Sequence, residues 1–160
     1  MSYISDLRKY VGHSPILTAG AVLFIFKDSK LLMQLRSDYN AWGLIGGSLE
    51  LGETLEETAI RELKEETNLD VDELKFVRIL SGKNTYREYP NGDKLYDITA
   101  IYTVTKYHGD LKINDNESKE LKWFDINNLP DNLAPITVNY LTKFKNLLQD
   151  AYDKYKNVDN

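Results

Sequence analysis

Runs of β-branched and aromatic residues recur along the chain and predict strands. The first run, residues 16–26, is almost wholly apolar, which is typical of a mostly buried strand. A polar turn at 27–30 separates it from a second run, so the two together predict a hairpin. The other predicted strands are residues 31–35, 42–45, 74–80, 95–106 and 121–124.

Helical spacing of apolar residues marks other segments of the chain. Ile4, Leu7 and Val11 form one stripe, so a short helix is predicted over the first dozen residues. A second helix is predicted over residues 54–67. Asn68 follows its end, at the position where left-handed backbone geometry favours Gly first and Asn second.

Two prolines, Pro130 and Pro135, break the chain before a final predicted helix. The apolar residues of this helix share one face at spacings of three and four, and they are Ile136, Tyr140, Phe144, Leu147, Leu148 and Ala151. Residues 154–160 are mostly polar, so we expect the chain to fray there.

The order of these elements limits the fold class. Strands and helices do not alternate regularly, so a doubly wound parallel sheet is not expected. We predict an α/β protein of the α+β type, in which a mixed β-sheet is sandwiched between helices. A chain of 160 residues suits one domain, so residues 1–160 are interpreted as a single domain with residues 1–14 as a helical extension.

Composition excludes several classes of protein. The formal net charge is −5, whereas a protein that binds duplex nucleic acid needs a basic surface, so no nucleic-acid partner is expected. The absence of cysteine excludes disulfides, thiolate metal sites and a cysteine nucleophile. The chain has neither a signal-peptide pattern nor an apolar run of about 20 residues, so we expect no membrane partner and a cytoplasmic location.

The predicted helix at 54–67 carries the residues that point to chemistry. At about 100° per residue, Glu62, Glu65 and Glu66 fall on one face without a lysine among them. Like charges at this spacing repel, and a helix packed on a sheet tolerates them poorly unless a cation lies among them. Oxygen ligands suit Mg²⁺ or Mn²⁺ rather than Zn²⁺. An adjoining stripe that can pack on a sheet consists of Leu55, Ala59, Ile60 and Leu63.

The loop before this helix is rich in glycine. Gly46, Gly47 and Gly52 allow sharp turns and a close approach of the backbone to a ligand. Glu53 and Arg61 are candidates for an ion pair that ties the loop to the helix. A glutamate-rich helix face is common in solvated helices and Gly-Gly is usually only a turn, so the inference depends on their conjunction at this spacing.

The segment from Gly47 to Leu69 resembles the Nudix box, G-x5-E-x7-R-E-U-x-E-E-x-G-U, in which U is a bulky apolar residue. The matching residues are Gly47, Glu53, Arg61, Glu62, Leu63, Glu65, Glu66 and Leu69. Asn68 replaces the family's glycine, which is a mild change because Asn tolerates left-handed backbone. Ile45 stands where many members have proline. The later run 121–130 also resembles a segment of the family, so the likeness covers most of the chain.

The resemblance implies a MutT-like Nudix pyrophosphohydrolase that uses Mg²⁺ or Mn²⁺. By this likeness the carbonyl oxygen of Gly46 and the side chains of Glu62, Glu65 and Glu66 bind the metal and carry catalysis. Glu62 is alternatively the general base. Gly47, Glu53 and Arg61 support the loop. The implied reaction is attack of water on a diphosphate linkage of a nucleoside-diphosphate derivative or a nucleoside triphosphate. Because family members often dimerise, a homodimer is a further expectation.

Residues outside the box are weaker candidates for substrate binding. Glu117 and Glu120 lie in the region where some family members add an acidic ligand, although a solvated acidic loop is the simpler explanation for either one. Arg36, at the end of a predicted strand, is a candidate for a phosphate contact, and Lys83 and Arg87 are weaker ones. Aromatic residues near loops are candidates for stacking on a base, and they are Tyr39, Trp42, Tyr86, Tyr89 and Tyr96.

Three other readings compete with a hydrolase. A catalytically weak Nudix domain would bind a nucleotide as a regulatory module, but such a module has no need of the full set Glu62, Glu65 and Glu66. A non-enzymatic domain stabilised by a cation would bind metal equally well with and without phosphate ligands. The isoprenoid-diphosphate isomerase branch of the same fold usually relies on a cysteine, which this chain lacks.

Overall fold

The computed structural model describes residues 2–157, which contain eight strands, four α-helices and one turn of 3-10 helix at Lys83–Thr85. The strands are β1 (Ile16–Lys27), β2 (Lys30–Arg36), β3 (Ala41–Gly43), β4 (Ile45–Ser48), β5 (Asp70–Leu80), β6 (Arg87–Glu88), β7 (Lys94–His108) and β8 (Ser118–Asp125). The helices are α1 (Tyr3–Val11), α2 (Leu55–Thr67), α3 (Pro135–Lys143) and α4 (Leu147–Lys156). None of these four helices combines the length and hydropathy that a membrane-spanning helix needs.

The sheet is mixed and divides at β1. One edge of β1 runs parallel to β7, which in turn pairs with β5 in the antiparallel sense. The other edge is shared, because β4 pairs with the middle of β1 while β2 pairs with its end, where Phe26 lies opposite Leu31. β2 continues the sheet to β8 and β3. The division places Gly46 and Gly47 directly beside the middle of β1, opposite Val22 and Ala21.

Helices cover both faces of the sheet, which confirms the predicted fold class. On one face, Ala59 and Leu63 of α2 are fully buried against apolar residues of β1 and β7. On the other face, Tyr140 of α3 and Leu147 of α4 pack with the aromatic end of β1. α1 has no buried residue. Each sheet face thus has its own apolar core, and the acidic residues of α2 lie at the edge of the first core.

The final helix was predicted as one element and is two. α3 ends at Lys143, and Asn146 adopts left-handed backbone with φ of 60° before α4 begins. Asn tolerates this geometry, and the break gives each half its own approach to the sheet. The predicted apolar face survives the break, because residues from both halves are buried. α4 includes residues 154–156 and is capped at Asn157, while residues 158–160 lie outside the described residues, so the fraying expected over 154–160 stays a prediction.

Two smaller expectations also need correction. The predicted strand at 42–45 is divided between β3 and β4, which pair with different strands. Ile60 was grouped with the packing stripe of α2, but it is 45% exposed. The stripe is narrower than predicted because, of its four residues, Ala59 and Leu63 are the ones that are fully buried.

Asn68 ends α2 as the sequence predicts. Its φ is 63°, and its backbone N–H donates to Lys64 O at 3.0 Å. Left-handed geometry costs a residue with a β-carbon about 1–2 kcal/mol, and Asn offsets part of that cost by local hydrogen bonding. We therefore expect Asn68→Ala to lower the melting temperature by about 2–4 °C, while Asn68→Gly keeps it near the wild-type value. Equal melting temperatures for the two variants would contradict this account.

Candidate active site

The helix that carries the candidate ligands begins at a defined residue. Thr54 Oγ1 accepts a hydrogen bond from the backbone N–H of Glu57 at 3.1 Å, and Glu57 Oε2 accepts one from the Thr54 N–H at 2.8 Å. This reciprocal capping box satisfies two backbone donors that a helix end otherwise leaves without partners. Because Asn68 fixes the other end, the acidic face of α2 has a defined position beside β4.

A cavity of about 560 Å³ lies along this acidic face. It brings together nine of the residues singled out from the box and its surroundings, namely Arg36, Gly46, Gly47, Glu53, Arg61, Glu62, Glu65, Glu66 and Glu117. Glu120 is not among its lining residues, because it lies on β8 opposite Leu35 with its side chain exposed. The cavity is also lined by residues that the sequence did not single out, which are Ser2, Ser48, Glu50 and Asp115.

Glu66 is the most buried carboxylate of the site, with 4% of its surface exposed. Its Oε1 accepts a hydrogen bond from Gln34 Nε2 at 2.9 Å, and its Oε2 accepts one from the Gly46 backbone N–H at 2.9 Å. Burial, reinforced by the nearby charge of Glu62, raises the pKa of Glu66 to about 8. Both hydrogen-bond donors are neutral, so no directly bonded cation balances this buried charge.

Glu62 occupies space that the absence of a side chain at Gly47 leaves open. A β-carbon at Gly47 would lie 2.2 Å from Glu62 Oε1, far inside contact distance. Burial raises the pKa of Glu62, although its hydrogen bond with Arg61 acts in the opposite direction. A side chain at residue 47 would therefore displace the Glu62 carboxylate from this position.

Arg61 joins the loop to the helix, as the sequence predicts. Its Nε donates to Glu53 Oε1 at 2.6 Å and its Nη2 to Glu53 Oε2 at 2.9 Å, which is the bidentate arrangement expected of an arginine–carboxylate pair. Nη2 also donates to the carbonyl oxygen of Ser48 at 3.0 Å. The Arg61 hydrogen bond holds the pKa of Glu53 down at about 2. The predicted contact between Glu53 and Arg61 is confirmed.

Arg61 also contacts two of the three candidate metal ligands. Its Nη1 donates to Glu62 Oε1 at 2.7 Å and to Glu65 Oε2 at 3.2 Å. The Glu65 side chain is 56% exposed, whereas that of Glu62 is 13% exposed. Arg61 thus holds both of these carboxylates. This second task of Arg61 was not predicted from the sequence.

The residues of the cavity fit a divalent cation in donor chemistry and in charge. The acidic ligands available are all oxygen donors, which Mg²⁺ and Mn²⁺ prefer. Burial disfavours the ionised form of Glu66 unless a cation balances its charge. However, within residues 2–157 no three acidic or histidine side chains are grouped closely enough to form a ready-made metal site. The metal assignment of Gly46, Glu62, Glu65 and Glu66 therefore stays a prediction.

Arg36 brings a positive charge to the same cavity. Its Nε and Nη2 donate to Asp38 at 3.0 and 2.7 Å, and its stem lies against Gly43. A β-carbon at Gly43 would come within 2.9 Å of Arg36 Cδ, so the glycine makes room for the arginine. Nη1 carries none of the hydrogen bonds to Asp38. The guanidinium is thus held at the cavity with one nitrogen left to meet a ligand.

Arg87 and Tyr89 line the cavity with Arg36. Arg87 forms an ion pair with Asp97, which is 3% exposed, and its guanidinium carbon lies 5.6 Å from the centre of the Tyr89 ring. Of the five aromatic residues proposed for stacking, only Tyr89 lines the cavity. Trp42 instead packs edge-on against Phe124 in the apolar core. The sequence made Arg87 a weaker candidate than Arg36 for a phosphate contact. The structure supports Arg87 more strongly, because it places the residue at the cavity.

Comparison with known proteins agrees with this geometry. The model of the NUDIX domain matches residues 16–144. An ADP-ribose pyrophosphatase of Methanocaldococcus jannaschii is 35% identical over 130 residues, which cover 78% of this chain and 71% of that protein. A NAD-capped RNA hydrolase NudC of Vibrio atlanticus is 29% identical over 126 residues, which cover 78% of this chain but 43% of that protein.

Solved structures show the same fold. The NUDIX domain of Shewanella oneidensis NrtR, in complex with ADP ribose, aligns with a TM-score of 0.62 at 24% identity and covers 96% of this chain and 99% of that one. A MutT NUDIX hydrolase of Burkholderia pseudomallei aligns with a TM-score of 0.63 at 21% identity and covers 76% and 93%. The glycine loop, the ion pair between Glu53 and Arg61 and the acidic face of α2 agree with these matches. The matches show that the chain belongs to the Nudix family and is a pyrophosphohydrolase of that family.

Proposed function

We propose that the protein hydrolyses the diphosphate linkage of a nucleoside-diphosphate-linked small molecule in the presence of Mg²⁺ or Mn²⁺. ADP-ribose is the first substrate to test, because the Methanocaldococcus jannaschii relative is an ADP-ribose pyrophosphatase. The observation that carries the proposal is the buried Glu66 and the partly buried Glu62 at a cavity that Arg36 and Arg87 also line.

Each part of the cavity has a chemical task in this reaction. Glu62, Glu65, Glu66 and the Gly46 carbonyl oxygen would hold the divalent ion. When bound, such an ion neutralises phosphate charge and lowers the pKa of water. Arg36 and Arg87 would donate hydrogen bonds to phosphate oxygens. A carboxylate would take the proton of the attacking water, with Glu62 as the first candidate.

The proposal is tested with a panel of purified substrates. ADP-ribose, a nucleotide sugar, nucleoside triphosphates (including an oxidised one) and a dinucleoside polyphosphate are incubated with Mg²⁺ or Mn²⁺, and products are separated by chromatography. Hydrolysis of ADP-ribose at its diphosphate bond gives AMP and ribose 5-phosphate. Binding of these compounds in calorimetry without any hydrolysis would instead support a nucleotide-binding module.

Arg36→Gln tests the contact to phosphate. Loss of a charged hydrogen bond to the substrate costs about 1.5–3 kcal/mol, so we expect KM to rise about tenfold or more with a smaller change in kcat. Lys122→Gln, on β8 and outside the cavity lining, is the control for loss of one positive charge. An unchanged KM in Arg36→Gln would limit Arg36 to its structural pair with Asp38.

A further inference from the structure

Gln34 is a polar residue buried in the middle of β2, with 1% of its surface exposed. Its Nε2 donates to Glu66 Oε1 at 2.9 Å and to the Leu44 carbonyl oxygen at 3.2 Å. Its Oε1 accepts a hydrogen bond from Ser118 Oγ at 2.7 Å. Both ends of the amide therefore have partners, and a half-turn of the amide would place its oxygen against the oxygens of Glu66 and Leu44.

Ser118 is itself held by the loop that carries Glu117. The Ser118 backbone N–H donates to Asp115 Oδ1 at 2.9 Å, and the Glu117 N–H donates to the same oxygen at 3.1 Å. Asp115 and Glu117 both line the cavity. A continuous chain of hydrogen bonds therefore runs from this loop through Gln34 to Glu66.

Glu66 differs from the other carboxylates of the box in how it is held. Glu53, Glu62 and Glu65 all contact Arg61, which balances their charge. Among the described residues, Glu66 accepts hydrogen bonds from Gln34 and the Gly46 N–H, which are neutral donors, so its orientation is set without an ion pair. Each carboxylate oxygen has two lone pairs, so one on each oxygen stays available to a cation.

We propose that Gln34 is a positioning residue for the active site, which orients the Glu66 carboxylate through one hydrogen bond and is itself oriented by Ser118. This inference rests on the proposed function, because it takes Glu66 as a ligand of the divalent ion. Residues that hydrogen-bond to metal ligands fix their geometry, and their loss typically lowers metal affinity or activity about 10–100-fold.

The test compares wild-type protein with Gln34→Leu, which keeps the side-chain bulk but removes the donor and the acceptor. Mn²⁺ binding to the full chain without substrate is measured by electron paramagnetic resonance of the free ion, and kcat and KM are measured separately. We expect Mn²⁺ affinity and kcat to fall about 10–100-fold while KM for the substrate changes little. Unchanged Mn²⁺ affinity and kcat would overturn the proposal.

Thr103→Val is the matched control for the loss of a buried hydrogen bond. Thr103 lies on β7, is fully buried, and donates through Oγ1 to the Ala151 carbonyl oxygen at 2.9 Å, on the other side of the sheet from α2. We expect this variant to lose thermal stability and to keep wild-type Mn²⁺ affinity. A comparable loss of Mn²⁺ affinity in Thr103→Val would make the Gln34 effect a general loss of stability and would overturn the proposal.

Ser118→Ala provides the decision if Gln34→Leu does not fold. It removes the hydrogen bond to the Gln34 amide oxygen and leaves the one from Nε2 to the Leu44 carbonyl oxygen, so Mn²⁺ affinity should fall about two- to tenfold, the size of one neutral hydrogen bond. Wild-type affinity in Ser118→Ala would then overturn the proposal.

If wild-type protein binds Mn²⁺ but hydrolyses no substrate, the proposed function fails and the Mn²⁺ affinities still decide the role of Gln34. Absence of Mn²⁺ binding in the wild type would overturn both.

Discussion

Replacing Glu66 with glutamine will lower the rate of hydrolysis by about three orders of magnitude while the fold stays intact. Glutamine has the same shape as glutamate, so the apolar packing of α2 is unchanged. It lacks the charge that is buried at the cavity between Gln34 and the Gly46 N–H. If that charge binds the divalent ion, its loss removes several kcal/mol of stabilisation from the transition state.

Thermal melting separates this effect from damage to the fold. Without metal, Glu66→Gln removes an unfavourable buried charge but sets its NH2 group against a donor, either Gln34 Nε2 or the Gly46 N–H, so its melting temperature should stay close to that of the wild type. Addition of Mg²⁺ should raise the melting temperature of the wild type but not of Glu66→Gln, because a ligand stabilises only a state that binds it. Glu56→Gln is the control on the same helix, since Glu56 accepts from Tyr102 Oη and lies outside the cavity lining. A fully active Glu66→Gln would refute the assignment of Glu66.

Local rules account for the parts of the site that the sequence predicted. α2 begins at a capping box and ends at left-handed Asn68, and both features depend on residues within a few positions of each helix end. The pair between Glu53 and Arg61 follows from a loop that must return to the first turns of its own helix. The fold class followed from the irregular order of strands and helices.

Long-range pairing explains what the sequence did not reveal. Gln34 lies in an apolar run that predicts a strand, and its role depends on β8 bringing Ser118 beside it. The pairing of β2 with β8 shifts register between Leu35 and Arg36. Beyond this shift Glu117 lines the cavity while Glu120 does not, and no periodicity in the sequence encodes such a shift. The break at Asn146 was hidden because apolar spacing continues on both sides of it.

Replacing Arg61 with alanine will lower both stability and activity. The side chain is 27% exposed and joins three carboxylates and the Ser48 carbonyl oxygen. Its loss leaves Glu53, Glu62 and Glu65 without their shared cation and frees the glycine loop from the helix. An exposed pair contributes up to about 1 kcal/mol and breaking a buried one costs about 3–5 kcal/mol, so we expect a loss of about 2–3 kcal/mol. This corresponds to about 5–10 °C in melting temperature.

Two further variants show whether the geometry of the guanidinium or its charge matters. Arg61→Lys keeps the charge, but a single ammonium cannot replace the bidentate contact with Glu53 while also reaching Glu62, so we expect only partial rescue of stability and activity. Arg78→Ala removes a comparable arginine, 32% exposed, which pairs with Asp150 on α4 away from the cavity. It should lower the melting temperature less and leave hydrolysis unchanged. If Arg78→Ala and Arg61→Ala lose stability equally and both keep full activity, Arg61 does not organise the site, and the orientation of Glu62 and Glu65 must be set by the substrate complex itself.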